Sequence, residues 1–158
     1  MGYTLFIDLD GVLVDFKKGV LNATGKHISI ISSKEMWPKL AKTPDFYNTL
    51  DWLPDGKKLW DYVKDKSPYI LTGLPRGKWA EEQKRNWCKR ELGPQVPVLT
   101  CFSHNKHIKA QEVLVQNTTP VLVDDRSRLK EKWESIGGAF IHHQNAEESI
   151  QRLRKLGV

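Results

Sequence analysis

The sequence predicts an α/β protein, a parallel sheet covered by helices on both faces. Three observations carry this. Apolar runs of strand length alternate along the whole chain with longer stretches of helical periodicity. Runs such as Leu5-Phe6-Ile7 and Tyr69-Ile70-Leu71 are continuously apolar, as in strands buried on both sides. Polar residues suited to chemistry follow these runs, at the edge where open α/β sheets hold ligands. The 158 residues fit one domain, 1–158, large enough to bury a single core.

Leu5, Phe6 and Ile7 open the first strand, within the segment FIDLDGVLVDF. It ends at Asp8, Asp10 follows one residue later, and Gly11 permits a tight turn. Apolar spacing over 12–24 (Val12, Phe16, Val20, Leu21) predicts an amphipathic helix stopped by Gly25. Residues 26–53 lose this period. Trp37-Pro38, Thr43-Pro44, Phe46, Tyr47 and Trp52 mark an aromatic-rich insertion with short helices at 33–40 and 44–50. Residues 16–53 are therefore expected to form a small helical cap over the end of the first strand.

Helical spacing returns over 55–64 and breaks at Ser67-Pro68. Tyr69-Ile70-Leu71 is the second strand, ending at Thr72-Gly73. A loop at 74–77 leads to a helix over 78–92 carrying Trp79, Trp87 and Cys88, closed by Gly93-Pro94. Residues 96–101 form the third strand, and 103–111 a loop feeding a short helix. The fourth strand, 120–123, ends at Asp124-Asp125. Residues 127–136 are helical with Leu129, Trp133 and Ile136 inward, and 139–141 form the fifth strand. Asn145 caps a last helix that ends near Leu156.

A net charge of +6 and a pI near 9.3 point towards anionic partners. The basic residues are dispersed, so no nucleic-acid-binding tail is present. A phosphate-bearing substrate accounts for the balance, and so do solvated helix faces. No apolar run is long enough to cross a membrane and no signal pattern opens the chain, so no membrane partner and a cytoplasmic setting are expected. Cys88 and Cys101 have no CxxC spacing and read as reduced packing residues.

Asp8/Asp10, Thr72, Lys106 and Asp124/Asp125 all fall at or just beyond the carboxyl ends of predicted strands, which in a parallel sheet share one edge. Asp8 and Asp10, two apart on one side of an extended segment, repel each other unless a cation lies between them, and their oxygen ligands suit Mg2+. Lys106 adds positive charge, Thr72 a hydroxyl, and the turn at Gly73 backbone N–H groups for an anion. Such a set matches a phosphoryl group, with one carboxylate as nucleophile and a second as proton shuttle.

In order, the motifs DLDGV, ILTG, HNKH and VLVDDR resemble those of the haloacid dehalogenase (HAD) superfamily of phosphohydrolases. The resemblance covers the chain. It implies a HAD-like three-layer sandwich with sheet order 5-4-1-2-3 and a cap after the first strand. It also implies Asp8 as nucleophile, Asp10 as general acid and then base, and Thr72 and Lys106 as holders of the phosphoryl oxygens. Mg2+ would be bound by the Asp8 carboxylate, the Asp10 backbone carbonyl, Asp124 and Asp125. The opening DLDGVLVDF looks like the 5'(3')-deoxyribonucleotidases, whose cap is longer than the insertion here. The stretch VDDRSRLKEKWESIGG looks similar to the phosphatase domain of polynucleotide kinase-phosphatases. Nucleotide or deoxynucleotide monophosphates are the expected substrates. A phosphorylated nucleic-acid end is the alternative, and a catalytically inactive phosphate- or nucleic-acid-binding module is the third reading.

Several residues keep two readings. Lys109 stands one turn after Lys106, which is preferred because it opens the helix at the third strand's edge. Phe16, Trp37, Phe46 and Trp52 either stack a base or pack the cap. Arg76, Lys78 and Arg126 flank the edge and either grip a phosphate or stay solvated. Asp15 either meets substrate or serves the helix dipole. His104 and His107 have helical spacing for a metal but no third zinc ligand nearby.

Overall fold

The computed structural model describes residues 2–158. Strands β1 (Gly2–Ile7), β2 (Tyr69–Gly73), β3 (Val98–Cys101), β4 (Thr118–Asp124) and β5 (Ala139–His142) form one five-stranded sheet. Its order is β3-β2-β1-β4-β5, and every neighbouring pair is parallel. Read from the other edge, this is the expected 5-4-1-2-3. β1 is central, as its burial requires: Leu5, Phe6 and Ile7 are at most 1% exposed.

Successive side chains of a strand point to opposite faces, so two apolar layers form. Leu5 and Ile7 pack into the larger one, with residues of α1 (Phe16–Thr24), α3 (Gly56–Val63), α4 (Glu81–Glu91) and α7 (Ala146–Lys155). Phe6 points the other way, into a cluster with Leu71, Leu122, Ala110 of α5 (Lys106–Gln111) and Trp133 of α6 (Lys130–Ser135). Trp133 is fully buried and donates its indole N–H to Pro120 O at 3.1 Å, so no polar group is stranded. Among the described residues no helix is long and apolar enough to cross a membrane.

Element starts differ from the expected ones for local reasons. The helix expected at 12–24 begins at Phe16. Val12, Leu13 and Val14 form instead a buried turn in which the Leu13 and Val14 amides both donate to Leu9 O, at 2.9 and 3.0 Å. Asp15 then caps α1, accepting from the Lys18 amide at 3.1 Å. The helix expected at 44–50 is only a 3-10 turn, Tyr47–Thr49. α4 starts at Glu81, three residues later than expected, after a loop in which Gly77 has φ +90°. The segment expected at 127–136 is a 3-10 turn, Ser127–Leu129, running into α6.

The insertion after β1 holds α1, α2 (Ser33–Lys42) and the 3-10 turn. Its aromatics pack together: Phe16 lies 6.0 Å from Trp37 and 6.0 Å from Tyr47, and Phe46 5.0 Å from Tyr47 (ring centroids). α4 holds this segment from below. Gln83 accepts from the Tyr47 amide at 2.9 Å, and Trp87 donates to Leu50 O at 2.8 Å. Arg90 donates to Asn48 O at 2.8 Å, and Glu91 accepts from the Trp52 indole at 2.7 Å.

Candidate active site

Asp8 leaves the end of β1 with its amide bonded to Val123 O at 3.0 Å, while Asp124 ends the neighbouring β4. Adjacent parallel strands thus bring the two acids side by side. Lys106 opens α5 and donates to Asp8 Oδ1 at 2.8 Å and to Asp124 Oδ2 at 2.7 Å. Asp8, Lys106 and Asp124 are 5%, 3% and 0% exposed. Lys109, one turn later, instead pairs with Glu112 at 2.9 Å.

Asp124 Oδ1 accepts from the Arg126 amide at 2.9 Å, a tight turn that swings Asp125 back towards β1. Oxygen atoms of Asp8, Asp124 and Asp125 lie within 4.8 Å of one another. Gly11 permits this approach. It has φ +80°, and a Cβ there would stand 2.1 Å from Asp125 Oδ2. Gly73 serves similarly on the opposite wall, where a Cβ would stand 2.0 Å from Ser103 Oγ.

Asp10 stands apart from the three clustered acids. Its Oδ2 accepts from Lys84 Nζ at 2.8 Å, and the same ammonium donates to Thr72 Oγ1 at 3.0 Å and Gly73 O at 2.7 Å. All the protons of the lysine are thereby used. The ammonium also lies 4.4 Å from the centre of the Tyr47 ring. Repulsion between Asp8 and Asp10, expected to be relieved by a shared cation, is relieved at Asp10 by Lys84. The sequence reading missed this residue, although a signal exists. Lys84 shares the buried face of α4 with Ala80, Trp87 and Cys88, a lysine at a core position.

Four acids, Asp8, Asp10, Asp124 and Asp125, share ion pairs with only two ammonium groups, those of Lys84 and Lys106, and the Arg126 guanidinium acts on Asp125 without an ion pair. The carboxyl groups respond unequally. Burial would raise Asp8, but the charge and hydrogen bond of Lys106, helped by Lys84, hold it below the ordinary carboxylate value. Burial and the charge of Asp8 push Asp124 up to about 6. Burial and the charges of Asp8 and Asp124 push Asp125 up to about 8. Asp10 Oδ1 and Asp125 Oδ1 are buried without a hydrogen-bond partner. An all-oxygen donor set, an orphaned carboxylate oxygen and more acids than ion-paired cations fit one divalent cation of the Mg2+ kind.

A cavity of about 470 Å³ opens over these groups, walled near the acids by Gly73, Ser103 and Lys106 and farther out by Phe16, Ile28 and Leu53. Asp15 also reaches it while capping α1. Thr72 is placed differently from expectation. It is fully buried behind the wall, bonded to Lys84, because strand alternation turns it into the layer beneath α4. The hydroxyl on the wall belongs to Ser103, which the sequence reading did not single out. Trp37 lines a small neighbouring recess with Phe16 and Tyr47. Arg126 borders both spaces, whereas Arg76 lies farther out, with Trp79 and Phe102. Neither His104 nor His107 belongs to a metal-ligating group among the described residues.

Compared with known proteins, the chain matches no family model and no curated protein.

Proposed function

We propose that this chain is a Mg2+-dependent phosphomonoesterase of the HAD type, working through a phospho-aspartate at Asp8. Its substrates are nucleotide or deoxynucleotide monophosphates, as for the 5'(3')-deoxyribonucleotidases that its opening motif resembles. One observation carries the reading: Asp8, Asp124 and Asp125 converge within 4.8 Å, and Lys106 joins Asp8 to Asp124. An ionised carboxylate beside an ammonium and a cation-binding pair of acids is what phosphoryl transfer requires. A cavity of about 470 Å³ is within the range of small-molecule sites.

The residues divide the work. Lys106 keeps Asp8 ionised, so one carboxylate oxygen can attack the phosphorus atom; the bond to the leaving oxygen breaks as the Asp8–phosphorus bond forms. Asp10 Oδ1, the oxygen that Lys84 does not engage, is the atom suited to carry a proton to the leaving alcohol. In the second half, a water oxygen attacks the same phosphorus and gives its proton to Asp10. The Asp8 carboxylate and inorganic phosphate are released. Asp8, Asp124 and Asp125, with the Asp10 backbone carbonyl, would hold Mg2+, which when bound neutralises phosphoryl oxygens.

The test is phosphate release from a panel of nucleoside monophosphates with Mg2+ present. Wild type should turn over, and Asp8→Asn should lose turnover by about three orders of magnitude or more while remaining folded, since removing a nucleophile leaves little catalysis. Retained turnover in Asp8→Asn would exclude Asp8 as the nucleophile.

A further inference from the structure

Beside the catalytic cavity runs a second, more open groove of about 770 Å³. Its wall carries Lys34, Trp37, Arg76, Trp79, Phe102 and His104. The two spaces are joined, because Ser103 and Arg126 border both. Their chemistry differs. The catalytic cavity sets five aspartates against Lys17, Lys106 and Arg126, whereas no acidic residue lines the groove. Lys34, Arg76 and Arg126 are exposed and pair with no carboxylate among the described residues.

The aromatic groups are arranged as platforms. Phe102 is 52% exposed, and its ring is parallel to that of His104, 5.9 Å away with a 2° interplanar angle. Trp79 has one face on Tyr47 at 5.4 Å and also lines the groove. Neither Phe102 nor His104 belongs to the apolar core. Cationic side chains interleaved with exposed aromatic planes are the means by which proteins hold single-stranded nucleic acid, the cations tracking phosphates and the rings stacking bases.

We propose that this groove binds the nucleotides adjoining the phosphorylated end of a single-stranded oligonucleotide, with its terminal phosphate in the catalytic cavity. The inference rests on the phosphatase reading for that phosphate, and extends the substrate beyond a mononucleotide. Arg126, at the junction, faces the linkage between terminal and penultimate nucleotides. The groove holds the strand while Asp8 and its neighbours act on the end.

The experiment compares kcat/KM for thymidine monophosphates with that for pentathymidylates phosphorylated at the 5' or the 3' end, and for the corresponding uridylates to separate DNA from RNA. Oligonucleotides should be at least tenfold better, with KM carrying the gain. Phe102→Ala and Lys34→Glu, both at exposed positions, should each reduce kcat/KM on the oligonucleotide about tenfold, as loss of one stacked base does, and leave mononucleotide turnover unchanged. Raising the salt should weaken oligonucleotide binding the more steeply. In parallel, Asp8→Asn protein is titrated with unphosphorylated fluorescent pentathymidylate, which reads the groove without hydrolysis. Mononucleotide turnover with no oligonucleotide preference and silent groove variants overturns the groove and spares the phosphatase. Groove-dependent pentathymidylate binding with no phosphate released from any substrate overturns the phosphatase and spares the groove. Loss of both signals removes both.

Discussion

Lys84 Nζ donates to Asp10 Oδ2 at 2.8 Å from a side chain only 1% exposed. A lysine so placed cannot reach a substrate, since its remaining protons bind Thr72 and Gly73. In the proposed reaction it would act by fixing where the Asp10 carboxylate points. Lys84→Met should therefore lower kcat by about a hundredfold, in the range of a general acid–base contribution, with KM nearly unchanged and the pH–rate profile displaced. Breaking a buried ion pair also costs about 3–5 kcal/mol, so the variant should unfold at lower denaturant. An unaltered pH profile alongside that loss of stability would reduce Lys84 to a structural role.

With Mg2+ held as proposed, metal and protons would compete at Asp125. Its folded-state value of about 8 lies above its ordinary 3.8, so the folded protein binds this proton more tightly than the unfolded chain does. Metal-free protein should then lose stability as pH rises from about 4 through about 8. Mg2+ needs the ionised carboxylate and releases the proton on binding. The rise in Tm on adding Mg2+ should accordingly be larger at pH 8 than at pH 5. Equal shifts at the two pH values would detach Asp125 from the cation, and no shift at either would remove the cation from the account.

Gly11→Ala tests the packing of the turn against the acid pair. The added Cβ meets Asp125 Oδ2 at 2.1 Å while the backbone stays at φ +80°. Strain of this kind costs about 1–3 kcal/mol, and Asp125 must move away to relieve it. Denaturant midpoints should fall accordingly, and a Mg2+ titration should show affinity reduced by about tenfold or more, as when a metal ligand's supporting contact is lost. Unchanged Mg2+ affinity would mean that Asp125 is not needed as a ligand.

The sheet was legible because its strands are continuous apolar runs, and the edge followed once those runs were taken as parallel. Where local pattern and tertiary environment diverge, the reading failed. Val12 has the spacing of a helix face with Phe16, Val20 and Leu21, but Val12, Leu13 and Val14 are buried in a turn that Gly11 starts. Thr72 stands at a strand end as expected, yet the pleat directs it inward and leaves Ser103 on the cavity wall. Lys84 was passed over despite its place on the apolar face of α4, because its partner Asp10 is 74 positions away and a charged residue in a helix is ordinarily solvated. Lys106 was preferred over Lys109 by its place at the helix start beside His104 and Asn105; in the fold the two differ by partner, Asp8 and Asp124 against Glu112.

α4 grips residues 47–52 through Gln83, Trp87, Arg90 and Glu91, and the same helix carries Lys84 to Asp10. One helix therefore fixes both residues 47–52 and the lysine bonded to Asp10. In the reaction proposed above, a substrate that displaced residues 47–52 would also shift the helix that sets Lys84 against Asp10, tying size discrimination to proton transfer.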